Sequence, residues 1–212
     1  MGTCECLLVD DHPIVRRGVR DLLLREQLCS EIEEVSSGIE ALEAVRRKPW
    51  GLMLLDVALP DKHGLDVLKE AKEIQPNLPA LMLSLYPEKE FALRAIRAGA
   101  SGYLTKQSAP SELLTAVRRV LQGGRYITAA LAEQMAEALE TGSGGVLHAR
   151  LSDRELQVLQ LLGKGKSVSV IADELCLSVK TVSTYRARIL EKLSCDTTGE
   201  LIRYAIEARL ID

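Results

Sequence analysis

The chain has 212 residues, of which 47% are hydrophobic and 27% charged, and a formal net charge of −3 at pH 7. That length and balance suit two modest cores and exclude a disordered or membrane-embedded chain; with no overall basic surplus, any nucleic-acid surface must be local. Five scattered cysteines, Cys4, Cys6, Cys29, Cys176 and Cys195, make no C-x-x-C pair and have no histidine at metal spacing, which points to reduced thiols in a cytoplasm.

The first residues carry no positive segment leading into a long apolar stretch, and no apolar run reaches the roughly 18 residues of a membrane span, so neither secretion nor insertion is expected. Cys6-Leu7-Leu8-Val9 is a continuous apolar run, as a buried parallel strand reads, and it ends on Asp10-Asp11. Ile14, Val15, Gly18, Val19, Leu22 and Leu23 then recur at helical spacing, with Arg16, Arg17, Arg20 and Arg25 on the other side. Glu31 to Val35 reads as an edge strand, and Gly38 to Val45 opens a helix closed by Lys48-Pro49. Leu52-Met53-Leu54-Leu55 runs straight into Asp56, after which Val57 to Gly64 turns at once. Leu65, Val67, Leu68, Ala71 and Ile74 mark a helix, Leu81-Met82-Leu83 a strand ending on Ser84, and Phe91 to Ala98 another helix after Pro87. Gly102 to Thr105 is a strand ending on Lys106; Ser108 then stands as a cap before Pro110 and the helix Leu113 to Leu121, which Gly123-Gly124 stops. Five alternations of strand and helix predict a doubly wound parallel sheet with right-handed crossovers.

In such a sheet, chemistry sits beyond the carboxyl ends of the strands. There the sequence places an acid pair, a lone acid, a hydroxyl and an amine, at Asp10-Asp11, Asp56, Ser84 and Lys106. Taken singly, each aspartate also reads as a cap before a helix. Taken together, three crowded carboxylates repel each other unless a cation joins them, and a hard divalent ion such as Mg²⁺ is the natural neutraliser.

Thr128 to Glu140 is alanine-rich and helical, and Thr141-Gly142-Ser143-Gly144-Gly145 is a flexible joint. The expected division is 1–124 for the sheet domain, 125–147 for a helical and Gly-rich linker, and 148–212 for an all-helical tail. In the tail, Ser152 and Glu155 form a capping box that opens a helix through Leu162, and Gly163 to Lys166 breaks it. Ser167 caps a short helix through Leu175, Cys176-Leu177 makes a tight turn, and Ser178 with Thr181 starts a helix that runs to Leu193. Two helices joined so closely suggest a helix-turn-helix. Val179, Val182, Ile189, Leu190 and Leu193 fall on one side of the last of these, and Lys180, Ser183, Thr184, Ala187 and Arg188 on the other. Residues 177–192 carry four cations against Glu191, a local charge of +3. Cations for phosphates and short polar groups for base edges suit a major-groove reader; on periodicity alone a solvated helix in a plain bundle is the stronger reading.

The order of the rim residues resembles the receiver domain of two-component response regulators over about the first 120 residues. Val9-Asp10-Asp11-His12-Pro13-Ile14-Val15-Arg16-Arg17-Gly18 and Ala98-Gly99-Ala100-Ser101-Gly102-Tyr103-Leu104-Thr105-Lys106 look like the NarL/FixJ branch of that family. Residues 151 to 210 resemble its LuxR-type DNA-binding domain, through Leu151-Ser152-x-Arg154-Glu155, Gly165-Lys166-Ser167-x-x-x-Ile171-Ala172 and Ser178-x-Lys180-Thr181-Val182-x-x-Tyr185-Arg186. The resemblance implies a flavodoxin-like five-stranded receiver followed by a four-helix helix-turn-helix domain.

It further implies that Asp56 is the phosphoacceptor and that Asp11, Asp56 and the backbone carbonyl of Ala58 hold Mg²⁺, with Asp10 acting through water. Lys106 would pair with the phosphoryl group, Ser84 would be the switch hydroxyl, and Tyr103 would turn inward as Ser84 moves. Lys166, Lys180, Thr181, Ser183, Thr184, Tyr185, Ala187 and Arg188 become DNA contacts, and the last helix, through Leu201, Ile202, Ala205 and Ile206, would pair two copies. The implied partners are a sensor histidine kinase, double-stranded DNA with an inverted repeat, and a second copy of the chain; the first and last receiver helices offer either a dimer face or plain solvated surface. Chemistry would be limited to Mg²⁺-dependent self-phosphorylation and slow dephosphorylation, since no nucleotide-binding P-loop is present. Gln107 follows Lys106 where many receivers have a cis-proline, so a trans bond is expected; Leu59 replaces a usual methionine and Tyr185 a frequent histidine. A signalling adaptor, its receiver docking proteins and its tail recruiting a protein in place of DNA, is the alternative function.

Overall fold

In the computed structural model, residues 4–85, 88–140, 147–208 and 210–211 are described. The chain forms two compact units, residues 1–140 and 141–212. The glycine-rich stretch 141–146 lies outside the described residues.

The first unit alternates strand and helix: β1 (Cys4–Val9), α1 (Pro13–Arg25), β2 (Cys29–Val35), α2 (Gly38–Arg47), β3 (Leu52–Asp56), α3 (Gly64–Ile74), β4 (Ala80–Ser84), α4 (Glu88–Arg97), β5 (Gly102–Thr105), α5 (Pro110–Leu121) and α6 (Ala129–Glu140). The strands form one parallel sheet in the order β2-β1-β3-β4-β5. β3 and β4 are buried along their whole length, which is why they read as unbroken apolar runs and not as alternating ones. β2, at the edge, exposes glutamates. The core below the sheet joins Leu8, Leu54, Leu81 and Leu104 to Leu23 of α1 and to Leu113, Ala116, Val117 and Val120 of α5.

Four local expectations change. Ser108 does not cap α5: the cap position is Ala109, and the Ser108 hydroxyl lies 3.2 Å from that of Thr105, tying down the end of β5. Ile14, which its helical spacing placed on the side of α1 opposite the arginines, is 87% exposed in the first turn of the helix. The arginines of α1 are engaged too: Arg16 and Arg20 each lie 3.5 Å from Glu34 of β2. The segment read as the start of a linker belongs to the first unit. Tyr126 bonds to Ser101 through its backbone N–H (2.8 Å) and to Glu112 through its hydroxyl (2.9 Å), and α6 packs on α4 with Leu131 fully buried.

The second unit has a 3₁₀ turn (Leu147–Arg150), α7 (Asp153–Gly163), α8 (Val168–Glu174), α9 (Val179–Leu193) and α10 (Thr198–Glu207). Its starts follow the sequence closely: Ser152 and Glu155 make the reciprocal capping box, and Ser167, Ser178 and Thr197 cap the next three helices. Cys176 takes the left-handed conformation (φ 53°) that turns α8 into α9. α7 packs on α9 and α10, and α8 on α9, around Leu159, Ile171, Val182, Ile189, Leu193, Leu201 and Ala205. Val179 is 51% exposed at the first turn of α9, so it stands outside the apolar seam in which its spacing placed it.

Candidate functional site

Strand register assembles the site. Val9 pairs with Leu55, Asp56 with Leu83, and Ser84 with Thr105. Residues 10, 56, 84 and 106 therefore reach the same rim although they come from four separate segments. Lys106 is drawn in further by its backbone N–H, which donates to Ser84 O at 2.6 Å.

The side chains converge as the register implies. Lys106 Nζ lies 2.6 Å from Asp56 Oδ2 and 2.7 Å from Asp10 Oδ2. The Ala58 N–H donates to Asp56 Oδ1 (3.2 Å) and the His12 N–H to Asp10 Oδ1 (2.8 Å). His12 Nδ1 stands 2.6 Å from Asp11 Oδ1 and 3.2 Å from Asp10 Oδ1. Arg16 donates from Nη1 to the Asp10 carbonyl at 2.5 Å. The result is a chain of polar contacts from Asp11 through His12, Asp10 and Lys106 to Asp56.

Burial is graded along that chain. The Asp10 and Asp56 side chains are 1% exposed and that of Lys106 5%, whereas Asp11 and His12 open to solvent. Burial pushes the Asp56 carboxyl up to about 6, with Asp10 adding to the rise and Lys106 and the Ala58 amide opposing it. Burial also works against the charge of Lys106, but Asp56 and Asp10 outweigh it and hold the amine above its ordinary value. Among the described residues, one ligand atom from each of Asp10, Asp11, His12 and Asp56 lies within 4.8 Å of the others. Carboxylate oxygens so close suit a hard divalent cation, and this donor set fits one.

Ser84 is fully buried at the end of β4. Tyr103, expected to turn inward only on switching, is already 1% exposed. The loop after Asp56 is closed by Gly64, whose N–H donates to Val57 O at 2.8 Å. A Cβ there would stand 2.0 Å from the Asp56 carbonyl oxygen, so only glycine permits the approach. Sequence reasoning missed Gly64 and Arg16, which act through backbone atoms, and His12, whose only signal was its place beside the acid pair. Gln107 follows Lys106 through a trans bond, as expected.

On α9, Lys180, Thr184, Ala187 and Arg188 are exposed, and Thr181, Ser183 and Tyr185 are half-buried. The Thr184 hydroxyl donates to Lys180 O at 2.9 Å and retains only its acceptor capacity for a ligand. Lys166 is ion-paired with Glu174. Lys192 is drawn away from the exposed face by Glu155 of α7, 2.6 Å distant. On α10 the four residues expected to pair two copies separate. Leu201 and Ala205 are fully buried against the unit's own core, while Ile202 is half-buried and Ile206 57% exposed. The first two are removed from the candidate dimer face.

Residues 6–118 match the response regulator receiver domain, and residues 149–205 the luxR family of bacterial regulatory proteins. The chain is 40% identical to the transcriptional activator protein ExaE of Pseudomonas putida, over 97% of both chains. It is 36% identical to the response regulator UvrY of Escherichia coli K12, over 94% of this chain and 92% of that one. Its fold is similar to RcsB of Salmonella enterica serovar Typhimurium bound to promoter rprA in the presence of the phosphomimetic BeF3⁻. That likeness has a TM-score of 0.63 and 24% identity over 96% of this chain and 98% of the other.

Proposed function

The chain belongs to the NarL/FixJ response regulators, transcription regulators that join a receiver to a LuxR-type helix-turn-helix domain, and from this we propose that phosphorylation of Asp56 controls its binding to DNA. The observation that carries the reading is the convergence of Asp10, Asp11, Asp56 and Lys106 at one sheet rim.

An Asp56 oxygen attacks the phosphorus carried by a kinase histidine; the phosphorus–nitrogen bond breaks and an acyl phosphate forms. Asp11, Asp56 and the Ala58 carbonyl would hold Mg²⁺, with Asp10 beside it; when bound, the ion supplies charge stabilisation at the transferring phosphoryl oxygens. Lys106, already on Asp56, supplies a second positive charge there. Asp56 is nearly sealed in the present arrangement, so Lys106 and the loop that begins at Val57 must yield for a donor to approach. Once phosphorylated, residue 56 carries about 1.5 to 2 negative charges, if an acyl phosphate ionises like other phosphoresidues. Ser84 then donates to the new anion and its loop shifts, with Tyr103 filling the space behind it. Self-phosphorylation and slow dephosphorylation are the whole of its chemistry.

The new charge shifts the population toward a DNA-competent dimer. Lys180 and Arg188 approach phosphates, and Ser183, Thr184 and Ala187 approach base edges of an inverted repeat. Lys166, Thr181 and Tyr185 flank that surface, and Lys166 must leave Glu174 to reach a phosphate. Ile202 and Ile206 present the remaining apolar face of α10 to a second copy. No helix among the described residues is long and apolar enough to cross a membrane, and the free thiols suit a reducing cytoplasm.

The test is DNA affinity for an inverted-repeat duplex at several salt concentrations, with Mg²⁺ and a small phosphodonor, for the wild-type chain and Asp56→Asn. Donor-dependent tightening in the wild type alone supports the reading. Equal tightening in both sinks the switch, and salt-independent association sinks the DNA assignment.

A further inference from the structure

The loop after Asp56 is fastened at its base and at its tip. At the base, the Gly64 N–H donates to Val57 O and Ala58 bridges to His63. At the tip, Asp61 reaches across to α2: Oδ1 accepts from the Gly38 N–H and Oδ2 from the Ile39 N–H, both at 2.8 Å. These are the first two amides of α2, which no carbonyl of the helix can serve. The Ser37 hydroxyl takes the next one, that of Glu40, at 3.2 Å. One carboxylate thus completes the start of a helix that lies 22 to 23 residues earlier in the chain. Gly38 lets α2 lie this close, since a Cβ there would stand 2.6 Å from Val67 Cγ2 and 3.0 Å from Lys62 Cβ. Burial works against the charge of Asp61, but the Gly38 and Ile39 amides outweigh it and hold the carboxyl below its usual range.

Between this clamp and Ala58 lie only Leu59, 2% exposed, and Pro60, whose ring restricts its own backbone. So short and restrained a connection leaves the Ala58 carbonyl little freedom once residue 61 is held. We propose that Asp61 is a positioning residue of the phosphoacceptor site: by bonding two amides of α2 it fixes the Ala58 carbonyl at the rim and thereby sets the affinity for the divalent cation. The inference rests on the reading that this carbonyl and the carboxylates of Asp11 and Asp56 hold the ion. In this role Asp61 touches neither phosphoryl group nor ion and acts through the backbone that joins it to Ala58. A carbonyl already held in place need not be ordered when the ion arrives, and that saved ordering appears as affinity. With the tip fastened to α2, the opening that a phosphodonor needs falls to Lys106 and to the residues next to Val57.

The experiment uses the full chain and Mg²⁺ alone. Asp61→Asn keeps the shape of the side chain but removes its charge and one of its two acceptors. Lys62→Ala, on the same loop, removes only the ion pair with Glu70 and is the control. Calorimetry gives the Mg²⁺ affinity, amide hydrogen exchange of the metal-free chain follows residues 38, 39 and 57–64, and phosphorylation by a small donor is measured across Mg²⁺ concentrations. In D61N the Mg²⁺ affinity should fall about three- to tenfold, less than the roughly 10- to 100-fold typical when a ligand loses its own hydrogen-bond partner. Exchange should quicken at all those amides, while the phosphorylation rate at saturating Mg²⁺ stays within about twofold of wild type because the bound ion itself then orders the loop. K62A should match the wild type in all three measurements. Wild-type Mg²⁺ affinity in D61N overturns the proposal and leaves Asp61 a helix cap. Unchanged exchange at 57–64, or an equal loss of affinity in K62A, overturns it too, since the clamp would then not be what restrains the loop. Failure of the underlying reading looks different: Mg²⁺ binding that survives in Asp11→Asn combined with Asp56→Asn removes the cation site itself, whatever D61N does.

Discussion

Lys106 Nζ meets Asp56 Oδ2 at 2.6 Å in a pair whose side chains are 5% and 1% exposed. The lysine does not fully compensate its partner: burial leaves the Asp56 carboxyl pushed up to about 6. A folded-state value above the ordinary 3.9 or so means the folded protein holds this proton more tightly than the unfolded chain. The associated stability is complete below about pH 4 and is lost as pH rises through about 6. Without added metal, urea unfolding followed by Trp50, the single tryptophan and a residue of the first unit, should show stability declining over that window. Asp56→Asn, which cannot ionise, should remove most of this decline and be more stable at pH 7 by up to about 3 kcal/mol. Parallel curves for the two proteins would show that the strain lies elsewhere.

The glycine that closes the phosphoacceptor loop gives a second outcome. Gly64→Ala puts a Cβ 2.0 Å from the Asp56 carbonyl oxygen and 2.8 Å from Val57 Cα, both backbone atoms that cannot rotate aside. The loop has to move, at a cost of about 1 to 3 kcal/mol, as for other overpacked sites. Because the displaced atoms belong to residue 56 and its neighbour, phosphorylation by a small donor should slow by more than the stability loss explains. Gly18→Ala, in the middle of α1 where a Cβ meets nothing within 4 Å, is the control: it should leave the phosphorylation rate unchanged and raise stability by about 0.5 to 1 kcal/mol.

Those two positions show where the sequence is readable and where it is not. Asp10, Asp56, Ser84 and Lys106 were legible because each ends a run apolar enough to be recognised as a buried strand, and parallel register then brings strand ends to one rim. The caps Ser152, Ser167 and Ser178 were legible because capping is local: the hydroxyl and the amide it serves are three residues apart. Gly64 and Arg16 act on backbone atoms of other segments, a relation that leaves no pattern in residue type. Leu201 and Ala205 of α10 went to the wrong side for a different reason. A short amphipathic helix has one apolar stripe, and periodicity does not say whether it faces its own core or a second copy. Ile14 and Val179 repeat the lesson at helix starts, where a first turn can extend beyond the surface that its helix packs on.

In the tail, the capping box of α7 is joined to α9 through one carboxylate. Glu155 Oε2 accepts from the Ser152 N–H at 2.8 Å and lies 2.6 Å from Lys192 Nζ. Burial works against its charge, but Lys192 and Ser152 outweigh it and hold the carboxyl below its ordinary value. A depressed carboxyl contributes stability above the ordinary value of about 4.3 and loses it as pH falls through the lower folded value. Glu155→Ala should destabilise the tail by about 1 to 3 kcal/mol at pH 7, a range discounted because Lys192 is partly exposed. The deficit should shrink on acidification toward pH 3. Lys192→Met keeps the cap and removes the charge partner, so it should cost less than E155A; thermal melts by circular dichroism across pH decide the order.

The division of α10 into an inner and an outer face separates folding from pairing. Leu201 is fully buried, so Leu201→Ala should cost about 2 to 5 kcal/mol and lower the melting temperature of the tail. Ile206 is 57% exposed and on the outer side, so Ile206→Glu should leave that temperature within a degree or two. If the outer face joins two copies on DNA, I206E should weaken binding to an inverted repeat far more than to an isolated half-site, because only the two-site complex needs the second copy. Sedimentation of the duplex complexes gives the stoichiometry directly. An I206E protein that still binds the full repeat as a dimer with wild-type affinity would move the pairing surface off α10, leaving Ile202 and Ile206 as plain solvent-facing residues.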